Sequence, residues 1–222
     1  MSAHYSQPLV AYSVDHGELL EIPLPLAELR KQDRVGFAWF SDTVIVYAKT
    51  DDDIACRNVL EAVGWLLFAT MCTRTRIRAG IAYGKFFVDP ANEIHIGSAL
   101  VEAYELEQAQ QWSGAALTVN AARRIPKRNT SGERYQWWVC DYPIPLKPDS
   151  DVENSGYAVD WTQAIHEKME LLWSLKQPEP SPEDYRERKS VCEKWNNTVK
   201  FHREVCTSCF PSNKERDPLK VL

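Results

Sequence analysis

The densest apolar stretch of the chain is Val35–Ala48, VGFAWFSDTVIVYA, broken by one polar step at Ser41-Asp42. Aromatic and β-branched side chains of this kind suit a pleated, half-buried surface. The polar step divides the stretch into two short strands, predicted to form a hairpin with a tight turn at Ser41-Asp42 and an acid at its tip. One uninterrupted strand would instead bury that carboxylate, at a cost on the order of several kcal/mol.

Asp51-Asp52-Asp53 then places negative charge at the start of a long helix, where unpaired backbone N–H groups favour it. Ala55, Val59, Ala62, Val63, Leu66, Leu67 and Thr70 recur at helical spacing and define its expected buried face. Arg74–Tyr83 alternates as a strand does and stops at Gly84. Phe86–Val88 is predicted to be its hairpin partner, with a turn near Asp89-Pro90-Ala91-Asn92. Ala99–Gln111 reads as an amphipathic helix that buries Leu100, Ala103, Tyr104 and Leu106. Leu117–Ala121 fits either a strand or a helix start, and Tyr135–Val139 reads as a strand.

The two ends of the chain are less regular. Leu9–Val14 is strand-like and runs into Asp15, His16 and Gly17. Pro23 and Pro25 argue against a helix in Ile22–Leu26, after which a short helix over Ala27–Gln32 is expected. Past the prolines of Pro143–Pro148, helical patterns cover Trp161–Lys176 and Glu183–Cys206, separated by Pro178, Pro180 and Pro182. These helices either pack on the sheet or mediate dimerisation. The whole pattern predicts an α/β (α+β) chain, a mixed sheet flanked by helices with a C-terminal helical extension. Residues 1–142 form the expected domain, and residues 143–222 the connector and helices packed on it.

Composition changes this picture in three places. The 222 residues are enough for one sizeable core, and 44% hydrophobic with 26% charged residues is a globular balance. No apolar run approaches the roughly 20 residues of a membrane span, and the first residues lack a leader pattern, so a cytoplasmic location without membrane contact is expected. A net charge of −5 argues against a general nucleic-acid surface but permits a local polyphosphate pocket. Basic residues cluster at Arg74, Arg76 and Arg78, and again at Arg123, Arg124, Lys127 and Arg128. The six cysteines are expected to be reduced thiols. Cys206 and Cys209, a CxxC pair with no second pair, are read as a helix-end coincidence rather than a zinc site.

Two segments together carry a resemblance. The first is Phe40-Ser41-Asp42-Thr43-Val44-Ile45-Val46-Tyr47. The second joins Ile77-Arg78-Ala79-Gly80-Ile81-Ala82-Tyr83-Gly84 to Ile96-Gly97-Ser98-Ala99-Leu100-Val101-Glu102-Ala103-Tyr104-Glu105-Leu106-Glu107. In order and spacing they resemble the class III nucleotide cyclase domain, in which a hairpin acid precedes a helix, an "RxGIxxG" strand and a "GxxVNxAxRLE" helix. Within that family the chain is most similar to the pyrimidine cyclases of bacterial antiphage signalling, the Pycsar type. Those carry "FSDT", "GxALxxAYxLE", and a tail with "YAxxW" and "KxxxTxxF". The tail here shows Tyr157-Ala158-Val159-Asp160-Trp161 and Lys194-Trp195-Asn196-Asn197-Thr198-Val199-Lys200-Phe201. The resemblance covers roughly residues 35–205.

It implies a class III cyclase-like mixed sheet, a homodimer with composite sites, and conversion of UTP, with CTP second, to the 3′,5′-cyclic monophosphate and pyrophosphate. The cyclic product would signal to a separate effector that limits phage spread. Two Mn²⁺ or Mg²⁺ ions would activate the ribose hydroxyl and neutralise the triphosphate, and such ions prefer oxygen ligands. The resemblance assigns Asp42 as catalytic metal ligand and Asp15 as its strand partner. Arg78 is the expected catalytic cation, with Arg76 and Lys85 binding substrate phosphates. The residues that read a purine in the family fall at Gly36 and Ile94 here, which leaves room for a pyrimidine. Its helix asparagine and arginine fall at Val101 and Glu105.

Plainer readings stand beside these. Asp42 suits a turn, Arg78 suits an exposed strand position with a solvated charge, and Glu105 suits an ion pair with a neighbouring arginine. Trp39, Tyr104 and Trp112 read as core residues, and His95 and His166 as structural. The second functional class is a catalytically inactive cyclase-like domain that binds nucleotide or protein; a third reading, an ordinary purine cyclase, predicts cAMP or cGMP.

Overall fold

The structure, a computed structural model, describes residues 10–12, 19–21, 34–40, 43–72, 76–89, 91–125, 137–163, 186 and 188–209. Packing divides the chain into two units. The first comprises Met1–Arg76, Gln136–Trp138 and Trp161–Lys176; the second comprises Ile77–Tyr135, Val139–Asp160 and Gln177–Leu222. At the coarse level the expected α+β content is present, in helices and small sheets.

In the first unit, β1 (Val10–Tyr12) pairs antiparallel with β2 (Leu19–Glu21). Strands β3 (Val35–Phe40) and β4 (Thr43–Ala48) form the expected hairpin. Their register runs unbroken from Val35 opposite Ala48 to Phe40 opposite Thr43. Helix α1 (Asp53–Cys72) follows. Asp52 caps it, its carboxylate accepting the Ala55 N–H at 2.9 Å and the Thr50 hydroxyl at 2.7 Å. The Arg34 guanidinium, at the foot of β3, pairs with the same carboxylate and ties hairpin to helix. The Thr50 hydroxyl, then the Ala55 N–H and the Arg34 charge, hold the Asp52 carboxyl below its usual range.

A depressed carboxyl pKa contributes stability above the unfolded value of 3.8 and loses it as pH falls through the folded one. Asp52→Asn is therefore expected to melt lower than the parent at neutral pH. The gap should close in acid, which melting curves across a pH series would measure.

Helix α1 is buried nearly all round, by Leu60, Val63, Trp65, Leu67, Phe68 and Met71 among others. Trp65 meets Phe68 edge-on at 5.9 Å and Trp138 at 5.7 Å between ring centroids. Contrary to the sequence expectation, one helix among the described residues is long and apolar enough to cross a membrane, and it is this one. Of that stretch 61% is buried inside the fold, as in the core helix of a globular unit.

In chain order the second unit carries β5 (Ala79–Ile81), β6 (Phe87–Asp89), β7 (Ile94–Ile96), α2 (Ser98–Ala109), β8 (Ala115–Leu117), α3 (Val119–Arg124), β9 (Val139–Asp141), β10 (Tyr157–Val159) and α4 (Lys189–Cys209). The sheet order is β5-β8-β10-β9, with β5 and β8 parallel and the other pairs antiparallel. Leu117–Ala121 turns out to be both alternatives in succession. Strand β8 ends at Leu117, and α3 starts after Thr118, whose hydroxyl accepts the Ala121 N–H at 3.3 Å.

Three expected elements differ. The Arg74–Tyr83 strand is only the three residues of β5, because its partner β8 is equally short, held between Gly114 and the Thr118 cap. The strand expected over Phe86–Val88 runs Phe87–Asp89 and pairs not with β5 but with Ile94–Ile96. The turn between them is made by the Asp89 carboxylate, which accepts N–H groups of Ala91 and Asn92. Tyr135–Val139 starts its strand only at Val139: Trp138 has φ 51°, which extended backbone cannot pass through.

The core of the second unit centres on Trp112, with Tyr142 stacked at 5.5 Å and Phe201 edge-on to both at 4.8 Å. Burial first, then the Glu204 charge, push the Tyr142 hydroxyl up to about 12. Phe201 brings α4 into this core. One turn before it, the Thr198 hydroxyl accepts the Ser113 N–H at 2.8 Å, and the Asn197 amide donates to the Gln111 carbonyl at 2.7 Å. The KxxxTxxF face of the tail thus docks α4 onto the loop that follows α2. Phe201→Ala should cost about 3–5 kcal/mol, read as a lower urea midpoint, because the ring is fully enclosed. The other tail helix, Trp161–Lys176, lies beyond residue 163 outside the described residues, as do the Ala27–Gln32 helix and His166.

Candidate functional site

The best-defined part of the candidate site is the junction of β5 with α2, where the strand and helix motifs of the second segment meet. Arg78 stands just before β5, and its guanidinium pairs with Glu107 in the last turns of α2 at 2.8 Å. A second guanidinium N–H donates to the Gln110 carbonyl at 3.1 Å. Both side chains are largely enclosed, 22% and 23% exposed. Arg78 is therefore not the exposed strand residue with a solvated charge that its alternating pattern suggests; the end of α2 closes over it. Gly80 lies so close to α2 that an added Cβ would stand 1.9 Å from the Ala103 carbonyl oxygen. Gly97, at φ 155°, lets the chain enter α2 against the Lys85 carbonyl, where a Cβ would stand 2.2 Å away. The glycines of both motifs and the alanine of the second are thus parts of one close packing.

The outer face of α2 departs from expectation. Leu106 and Ala109 are buried and Leu100 and Ala103 half-buried, but Tyr104 is 63% exposed. Contact with β5 is centred on the i, i+3 row Ala103, Leu106, Ala109, and Tyr104 sits about 100° round the helix from Ala103. Val101, 56% exposed, and Glu105, also exposed, share that outer face with it. Trp112 is core as expected, whereas the Trp39 side chain is outside the described set.

Of the predicted site residues, Asp15 and Asp42 lie outside the described residues. Arg76 and Lys85 are both exposed. The Lys85 carbonyl accepts the Ala99 N–H at 3.3 Å, which places that residue beside the first turn of α2. His95 is held locally, its ring 3.3 Å from the Glu93 carbonyl oxygen and against Phe86, in keeping with a structural role. Cys206 and Cys209 fall in the last turn of α4. Among the described residues no three His, Cys, Asp or Glu side chains converge as a metal cluster. Carboxylate oxygens from Asp15 and Asp42 would be a chemically apt set for Mg²⁺ or Mn²⁺.

Three contributors escaped the sequence reading. Glu107, the partner of Arg78, was visible only as the last letter of the second motif. Opposite charges closing two adjacent motifs are the signal that could have found the pair. Lys194 and Thr198 were visible as a tail motif with no assigned contact. Comparison with family models, with curated proteins and with solved structures finds no match for this chain.

Proposed function

We propose that the chain is a nucleotide cyclase of the class III type that acts on a pyrimidine triphosphate, UTP ahead of CTP. The observation that carries this reading is the β5–α2 junction. The strand and helix motifs of the second segment are neighbours, joined by the Arg78–Glu107 pair and by Gly80 against Ala103. The β3–β4 pairing supports it further, because the strands flanking the FSDT motif are antiparallel neighbours as the resemblance expects. In this reading Asp42 and Asp15 hold two Mn²⁺ or Mg²⁺ ions, which supply activation of the ribose hydroxyl and neutralisation of the triphosphate. Arg76 and Lys85, both exposed, bind phosphate oxygens. Arg78 is reassigned from a catalytic cation to a positioning residue, since its guanidinium is already engaged with Glu107 and Gln110. The enzyme is a cytoplasmic homodimer whose cyclic product acts on a separate antiphage effector.

A second reading has its own observation. Where the family carries an asparagine and an arginine, the outer face of α2 presents an exposed Val101 and an exposed Glu105. Neither stabilises negative charge on phosphate. That substitution favours a cyclase-like domain that binds nucleotide or protein without turnover. Incubation with each of the four nucleoside triphosphates and Mn²⁺, followed by chromatography, separates the readings. A cyclic pyrimidine monophosphate with released pyrophosphate is expected. Intact binding with no cyclic product would decide for the second reading, and cAMP or cGMP for a purine cyclase.

A further inference from the structure

The tail motif brings a third cation to the end of α2. Lys194 opens the KxxxTxxF row on α4, and its carbonyl accepts the Thr198 hydroxyl at 2.8 Å, one turn from the bond to Ser113. Lys147 arrives from the proline-rich connector. Its backbone N–H donates to the Ala109 carbonyl at 2.8 Å, beside the bridge between Gln110 and Leu146. Arg78 comes from the foot of β5. Three elements distant in sequence thus reach the end of α2, each carrying a cation.

Cations at a helix C-terminus ordinarily serve its unpaired carbonyls. That explanation covers Arg78, which bonds the Gln110 carbonyl, whereas neither lysine ammonium bonds a carbonyl of the helix end. The Leu106, Glu107, Ala109 and Gln110 carbonyls already accept bonds from the Gln110 side-chain amide, the Gln110 N–H, the Lys147 N–H and Arg78 respectively. Among the described residues, the ammonium groups of Lys147 and Lys194 have neither a hydrogen bond nor an ion pair. Glu107 is the carboxylate whose field reaches Lys194, and it is paired with Arg78. Burial, then the charges of Arg78 and Lys147, hold the Lys194 ammonium below its usual range. An arrangement that gathers like charges and leaves them unneutralised lacks an anion.

We propose that Lys147 and Lys194, in the field of Arg78, form a binding site for a small polyphosphate anion at the C-terminal end of α2. The site is built wholly from the second unit and does not depend on the cyclase reading. Occupancy would fasten the connector and α4 to α2 and would couple polyphosphate level to the docking of the tail.

The test is residue-resolved lysine acetylation of the full chain near neutral pH and at constant ionic strength, read by mass spectrometry. The probes are pyrophosphate, UTP and chloride. Lys189 and Lys200 serve as internal controls on the same helix, at 77% and 65% exposure. Pyrophosphate should slow acetylation of Lys147 and Lys194 about fivefold or more while changing the two controls less than about twofold, because a bound anion stabilises the unreactive ammonium. Lys147→Gln should raise the pyrophosphate concentration needed to protect Lys194 about tenfold, the loss of one charged hydrogen bond. Protection by UTP but not pyrophosphate would retain a phosphate site and identify nucleotide as its source. Equal slowing of all four lysines, or no slowing by either phosphate compound, would overturn the proposal.

Discussion

Asp42→Asn is expected to abolish cyclic nucleotide formation while leaving the melting temperature close to that of the parent. Asparagine is as welcome as aspartate in a tight turn, so the β3–β4 connection keeps its local preference. What is lost is the anionic oxygen that holds a divalent ion against the triphosphate. Removing that ligand should lower turnover at least about a thousandfold, which is about 4 kcal/mol of barrier. Asp42→Ala should do the same to turnover and cost slightly more stability, since alanine lacks the turn preference. Chromatographic yield of cyclic product, set beside melting curves for both variants, reads the two effects separately. If Asp42 were only a turn residue, Asp42→Asn would cyclise normally and Asp42→Ala would lose a little stability. Unchanged turnover in both would sink the metal role.

Gly80→Ala is expected to destabilise the second unit by at least about 3 kcal/mol, at the upper end of the cost of overpacking. The clash is with backbone: the new Cβ would meet the carbonyl oxygen, carbonyl carbon and Cα of Ala103 at 1.9, 2.8 and 3.1 Å. No side-chain rotation relieves it, so α2 would have to lift from β5 and strain the Arg78–Glu107 pair. Gly84, the other glycine of the same motif, provides the control. A Cβ there would find its nearest neighbours at 3.6 Å, ordinary contact distance. Gly84→Ala should therefore fold as well as the parent, and urea titration of the two variants measures the difference. Equal stability of both would mean that the close approach of β5 to α2 is not what holds this junction.

What could be read from the sequence was local. The β3–β4 hairpin was legible because its apolar run carries its own interruption, and α1 because acids stand at its head and its apolar face repeats for five turns' length. Its all-round burial was not legible, because Trp65 and Phe68 lie off the face that the periodicity marked. Strand lengths and partners were harder. The length of β5 is set by β8, more than thirty positions later in the chain, and the pairing of β6 with β7 hangs on one aspartate in a turn. Trp138 held back the start of a strand to Val139 through a backbone angle that no composition rule marks. On α2, Tyr104 was misplaced because an aromatic side chain at helical spacing looks like core, whereas the small Ala103 was what the sheet required. For the site, residue types and order were legible through a resemblance. The engagement of Arg78 by Glu107 was not, because an ion pair between a strand and a helix leaves no periodic trace.

The placement of β10 has a consequence for how the protein comes off the ribosome. It lies inside the sheet between β8 and β9, yet both neighbours precede it in the chain. During translation β8 can take up only its parallel partner β5, and β9 has no partner at all until residue 159 emerges. The bond from Ser113 to Thr198, 85 positions away, must wait longer still. A nascent chain paused before these residues presents open strand edges to its neighbours, a state prone to intermolecular pairing. Final closure of this half of the molecule therefore waits until α4 seats itself against Trp112.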